Sequence, residues 1–146
     1  MLRLATKAGW TLTAQPWSRS HRKKRIIRSS LHWSQEKCGV GVQLVRGTQT
    51  IRLLFDQPQR LRRISLVFVE TETERTQEFV LRWSPDGGRS FREIVRQQWN
   101  FSPLNTIREV EEYRVEICDV TVVELIIVPD ISRGAARASL KSLRLS

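Results

Sequence analysis

The segment Phe79-Val80-Leu81-Arg82-Trp83-Ser84-Pro85-Asp86-Gly87-Gly88-Arg89-Ser90-Phe91-Arg92-Glu93-Ile94-Val95 reads as two strands folded back on each other. Pro85 presets its φ, Asp86 caps its own turn, and Gly87 and Gly88 accept positive φ, so the chain reverses between two apolar runs. Phe79, Leu81 and Trp83 fall on one face of a pleated strand, as do Ile51, Leu53 and Phe55, and again Tyr113, Val115 and Ile117. Short runs rich in Val, Ile, Leu, Phe and Thr recur between Gly, Pro, Asp and Asn, and none keeps a helical period. The pattern predicts strands near 40–46, 50–55, 63–70, 77–84, 91–98, 109–118, 122–128 and 138–145. Val122 to Val128, broken only by Glu124, reads as buried on both faces. About eight short strands close most simply as an all-β antiparallel sandwich, and the roughly 110 residues of 36–146 suffice for a core ~10 Å thick.

Ahead of that domain, residues 1–35 read as a basic arm. The chain has 146 residues, with 25 Lys and Arg against 15 Asp and Glu and a formal net charge of +10. The basicity is uneven: residues 1–63 carry 14 cations against 2 acids, and residues 64–146 carry 11 against 13. Trp10, Trp17, Leu31 and Trp33 are scattered without a period, so the arm is expected to be disordered. Arg22, Lys23, Lys24, Arg25 and Arg28 could attract the phosphates of a nucleic acid. His21 and His32, without acid or thiol partners nearby in sequence, read as incidental rather than as metal ligands.

Composition narrows the function further. Seven Gly and five Pro exclude collagen-like and low-complexity chains, and two Cys cannot build a disulfide framework. No run approaches the roughly 20 apolar residues of a membrane span. No Gly-x-Ser-x-Gly, phosphate loop or His-Glu-x-x-His occurs, so no enzyme is expected. No cofactor is called for; a structural Ca²⁺ would need several oxygens from one loop, and no loop stands out. Glu70, Glu72 and Glu74 alternate along one extended segment, reading first as a charged strand edge.

The most informative candidate site is Arg96-Gln97-Gln98-Trp99-Asn100-Phe101-Ser102-Pro103-Leu104-Asn105. With the 84–91 turn at one end of the sandwich, the segments entering and leaving the hairpin, 71–76 and 99–107, meet at the other. Trp99 or Phe101 would stack on the apolar face of a sugar, with Glu72, Arg75, Gln98, Asn100 and Asn105 bonding its hydroxyls. The alternative is that Trp99 and Phe101 turn inward and plug the open end, Asn100 bonding the loop backbone.

The hairpin Val80–Phe91, the late strand Val123-Glu124-Leu125-Ile126-Ile127-Val128-Pro129 and the closing Ala138-Ser139-Leu140-Lys141-Ser142-Leu143-Arg144-Leu145 resemble the discoidin, or galactose-binding-domain-like, superfamily of β jelly rolls. The resemblance covers roughly residues 38–146. It implies a non-catalytic binding module with its ligand on loops at one end. Carbohydrate is the leading ligand class, with an intracellular protein- or nucleic-acid-interaction module using the basic arm as the alternative. Extracellular members often close the roll with a disulfide near the domain ends. Here Cys118 lies inside a predicted strand, so Cys38 and Cys118 read as reduced, Cys118 as a small apolar filler. With no secretory leader legible, a cytoplasmic location is expected. The acid-poor, Arg- and Ser-rich arm also has the composition of an organelle transit peptide. A monomer is assumed.

Overall fold

The computed structural model describes residues 47–146 with their side chains, and ahead of them the backbone of residues 2–6, 11–14 and 31–34. All regular structure there is β. The strands are β1 (Leu2–Thr6), β2 (Thr11–Ala14), β3 (Leu31–Ser34), β4 (Gln49–Val69), β5 (Arg75–Ser84), β6 (Arg92–Phe101), β7 (Arg108–Val128) and β8 (Ser142–Leu145). Every pairing is antiparallel. The predicted strand 40–46 lies outside the described residues, as does most of the arm; the three stretches described within 1–35 run as strand backbone.

Four of the expected strands are two. The runs 50–55 and 63–70 belong to β4, and 109–118 and 122–128 to β7, each a continuous strand of 21 residues. They pair along their whole length, Gln49 opposite Ile127 and Val69 opposite Arg108, with register shifts between Leu54 and Arg63. Asp119 sits at a φ of 58° within β7. Bulged residues and a left-handed residue let a strand turn a corner without leaving its partner, which a sequence scan reads as a break.

The bent β4/β7 ribbon therefore runs through both layers of the sandwich. Its first layer carries β5 beside the second half of β7, β6 beyond β5, and β1 and β2 beyond β4. Its second layer carries β8 beside the second half of β4, with β3 beyond. Leu53, Phe79, Leu81, Val123, Leu125 and Ile127 of the first layer close on Ile64, Leu66, Phe68, Leu143 and Leu145 of the second. The rings of Phe68 and Phe79 meet across the core with centroids 4.9 Å apart.

The β5–β6 turn is built as its residues predict. Gly87 and Gly88 have φ of 73° and 90°. Asp86 Oδ1 accepts the Ser84 hydroxyl at 2.7 Å and the N–H groups of Arg89 and Ser90 at 3.0 and 2.9 Å; Oδ2 accepts the Ser90 hydroxyl at 2.6 Å. These donors hold the Asp86 carboxyl well below the usual carboxylate range. The late loop is docked by Gln77, which is fully buried: its Oε1 accepts Ser139 N–H at 2.9 Å and its amide donates to Ser139 O at 3.2 Å.

Candidate functional site

With the turn at one end of the β5–β6 hairpin, Arg75 lies opposite Phe101 at the other. The segment 70–74 enters there and the segment 102–107 leaves, the geometry the sequence implies. A third segment, 129–137, joins them after β7. Glu70 N–H donates to Ile107 O at 2.9 Å, and Ile131 N–H to Thr76 O at 3.0 Å. Within 102–107, Ser102 and Thr106 pair as a bridge and Asn105 N–H reaches Ser102 O at 3.0 Å. That tight tip leaves Leu104 93% exposed, with Ile107 and Ile131 also at the surface.

Arg75 ties the three segments. Its side chain is 1% exposed, pairs with Glu70 Oε2 at 2.6 Å, and donates to Arg137 O. Burial lowers the basicity of its guanidinium, against the opposing pull of Glu70 and Asp130. Glu70 Oε1 accepts the N–H groups of Glu72 and Thr73 at 2.8 and 3.2 Å, so one carboxylate shapes its own loop and anchors the knot. Asp130 does the same for the third segment, accepting Ser132 N–H at 2.9 Å and Gly134 N–H at 3.1 Å. A Cβ at residue 134 would meet Asp130 Oδ2, so any larger residue there would have to displace that carboxylate.

The residues singled out from sequence divide. Glu72 and Asn105 are exposed on the three-loop rim. Arg75 is interior, with its guanidinium engaged by Glu70 and the Arg137 carbonyl, so it braces the three segments from within. Phe101 is 1% exposed and belongs to the core. The expectation of a loop from 99 fails because β6 continues through Phe101, and on a pleated strand alternate residues face opposite ways. Trp99, opposite Gln77, takes the inner side, half-buried against the core, with its indole N–H buried and without a partner. Gln98 and Asn100 take the outer side, where Gln98 donates to Glu78 at 2.9 Å and Asn100 Oδ1 accepts the Thr76 hydroxyl at 2.7 Å. The inward alternative thus describes Phe101 fully and Trp99 in part.

Sequence reasoning missed Leu104 and Ile131 as exposed apolar groups, and Arg133, left-handed at a φ of 63° and exposed on the third segment. The spacing Asp130 to Gly134 carried the signal, since Asx turns and glycines mark shaped loops. Cys118 is exposed, not an apolar filler, because it lies one residue before the corner at Asp119. Cys38 and the proposed nucleic-acid residues Arg22, Lys23, Lys24, Arg25 and Arg28 lie outside the described residues. Among the described residues no cluster of His, Cys, Asp and Glu is placed to hold a metal ion, and no helix is long and apolar enough to cross a membrane.

On the first layer's outer face, Glu124 is fully buried between two arginines: Arg82 at 2.5–2.6 Å and Arg52 at 2.7 Å from its Nε. Both guanidiniums lie over the Phe91 ring, 4.4 and 5.6 Å from its centroid. Two guanidiniums thus share one carboxylate and one ring, a structural brace across β4, β7 and β5.

No family model and no curated protein matches the sequence. Solved structures do match. A pectin-binding carbohydrate-binding module superposes with a TM-score of 0.51 at 15% identity, covering 84% of this chain and 92% of its own. A Clostridium perfringens carbohydrate-binding module in complex with GalNAc-β-1,3-galactose gives 0.50 at 14% identity, covering 99% and 95%. The family 32 module of C. perfringens NanJ, in complex with galactose, gives 0.50 at 9% identity, covering 99% and 92%. The fold is therefore the galactose-binding-like jelly roll that these modules share.

Proposed function

We propose that the chain is a non-catalytic carbohydrate-binding module whose ligand sits on the rim of segments 70–74, 102–107 and 129–137. The observation that carries this reading is the rim itself: three loop segments gathered by the buried Arg75 knot, with an exposed Leu104 on one of them and exposed amide, carboxylate and guanidinium groups among them. Leu104 and Ile131 offer apolar cover to the C–H face of a sugar ring. Asn105, Glu72 and Arg133 offer directional hydrogen bonds to its hydroxyls. Support comes also from the fold, which is shared with a module described as pectin-binding and with modules in complex with galactose and with a galactose-containing disaccharide. A rim of aliphatic rather than aromatic cover buries little of a single sugar, so affinity for a monosaccharide is weak and rises with chain length.

Calorimetric titration with galactose-containing oligosaccharides tests this. Leu104→Ala combined with Asn105→Ala is expected to weaken binding about tenfold, or ~1.4 kcal/mol, without lowering the melting temperature. An absence of binding across a glycan array, or binding indifferent to both substitutions, would overturn the reading.

A further inference from the structure

The outer face of the second layer has no part in the rim. Ile64, Leu66 and Phe68 are fully buried, so Arg63, Ser65 and Val67 point outward from β4. The register sets Arg114 of β7 directly opposite Arg63, and Arg144 of β8 opposite Ser65. Arg63, Arg114 and Arg144 are all exposed. At the corner beside them are Arg60 and Arg62, which share Glu116 at 2.6 and 3.6 Å. Glu112, opposite Ser65, is the second acid of the group.

The Arg63–Arg114 pair is the informative part. Directly opposite residues on antiparallel strands stand ~5 Å apart at Cβ, diagonal ones ~7–8 Å, and like charges so placed destabilise the sheet. Among the described residues neither Arg63 nor Arg114 forms an ion pair. By contrast, Arg52 of β4 and Arg82 of β5 stand on either side of β7 on the first layer, and both pair with Glu124 between them. On the second layer the two arginines are direct cross-strand neighbours, and among the described residues no carboxylate pairs with either.

From this we infer a second binding face, in which Arg63 and Arg114 take carboxylates presented by an acidic polysaccharide. The inference rests on the carbohydrate reading above and adds the charge class of the ligand. A guanidinium fork matches a carboxylate in geometry as well as in charge. Cations placed along β4 and across to β7 suit an anion repeated along a polymer better than one on a single sugar. The outward positions of β4, β7 and β8 from Arg63 to Val67 include no aromatic residue, whereas single-stranded nucleic-acid sites join cations to stacking rings.

The test compares the full chain with the double variant Arg63→Gln, Arg114→Gln against polygalacturonate, neutral galactan and duplex DNA, at low and raised salt. The double variant is expected to lose about tenfold or more in affinity for polygalacturonate. Its affinity for galactan should be unchanged and its melting temperature unchanged or raised, since a repulsive pair has gone. Binding of polygalacturonate by the parent chain should weaken steeply with salt while galactan binding does not. Polygalacturonate affinity indifferent to the double substitution, with galactan still bound, overturns this inference alone. Tighter binding of DNA than of polygalacturonate at equal salt overturns it in favour of a nucleic acid. Failure of both polysaccharides to bind overturns the carbohydrate reading and this inference together.

Discussion

Asp86 shows how much one side chain settles. Four donors converge on its two oxygens, and the turn they shape aims β6 back along β5. Those hydrogen bonds favour the ionised form, so the folded-state pKa lies below that of the unfolded chain, near 3.9. The stabilisation is then complete above that unfolded value and disappears as pH falls below it. Melting temperatures recorded between pH 5 and pH 2 are expected to fall more steeply for the parent chain than for Asp86→Asn, which starts lower and responds less; parallel curves would refute the assignment. This residue was legible because Pro-Asp-Gly-Gly names its backbone conformation outright. Trp99 and Phe101 were not, because two aromatics flanking an amide look alike in a loop and in a strand. Only the length of β6 separates the cases, and strand ends are set by tertiary pairing rather than by local preference.

At the scale of elements, the sequence gives away where apolar runs lie and hides whether they join. The corner in β7 at Asp119 and the shifts in β4 are written in polar residues that resemble loops. What gathers the loops is likewise invisible locally: Arg75, Glu70 and Arg137 are brought together only by the fold. Arg75→Met would leave the largely buried Glu70 without its counter-charge, at a cost of about 3 kcal/mol. Arg75→Lys keeps the charge but cannot fork between a carboxylate and a carbonyl, so it restores only part of that loss. Thermal melts should rank parent, Lys and Met in that order. Limited trypsin digestion should cut at Arg133 and Arg137 sooner in the Met variant, because the third segment loses its tether. Equal cleavage rates would show that the segment is held by Asp130 and Gln77 instead.

For the molecule as a whole, net charge is the property most easily misread from a tally. The cations of residues 1–63 suggested a separate basic arm, yet Arg60, Arg62 and Arg63 among them belong to the sandwich and meet Arg114 and Arg144 from far along the chain. The long ribbon has a bearing on how such a chain assembles. Gln49 and Ile127 are neighbours across a ladder but 78 positions apart in sequence, whereas the β5–β6 hairpin needs only its own turn. Closing distant contacts is slow. During synthesis the hairpin can therefore zip up early, while the edge of β4 that β7 takes stays bare until residue 128 leaves the ribosome. Pulse-labelled amide exchange during refolding should accordingly protect β5 and β6 before β4 and β7. The interval between those events is when the nascent protein most needs shielding from clumping with its neighbours.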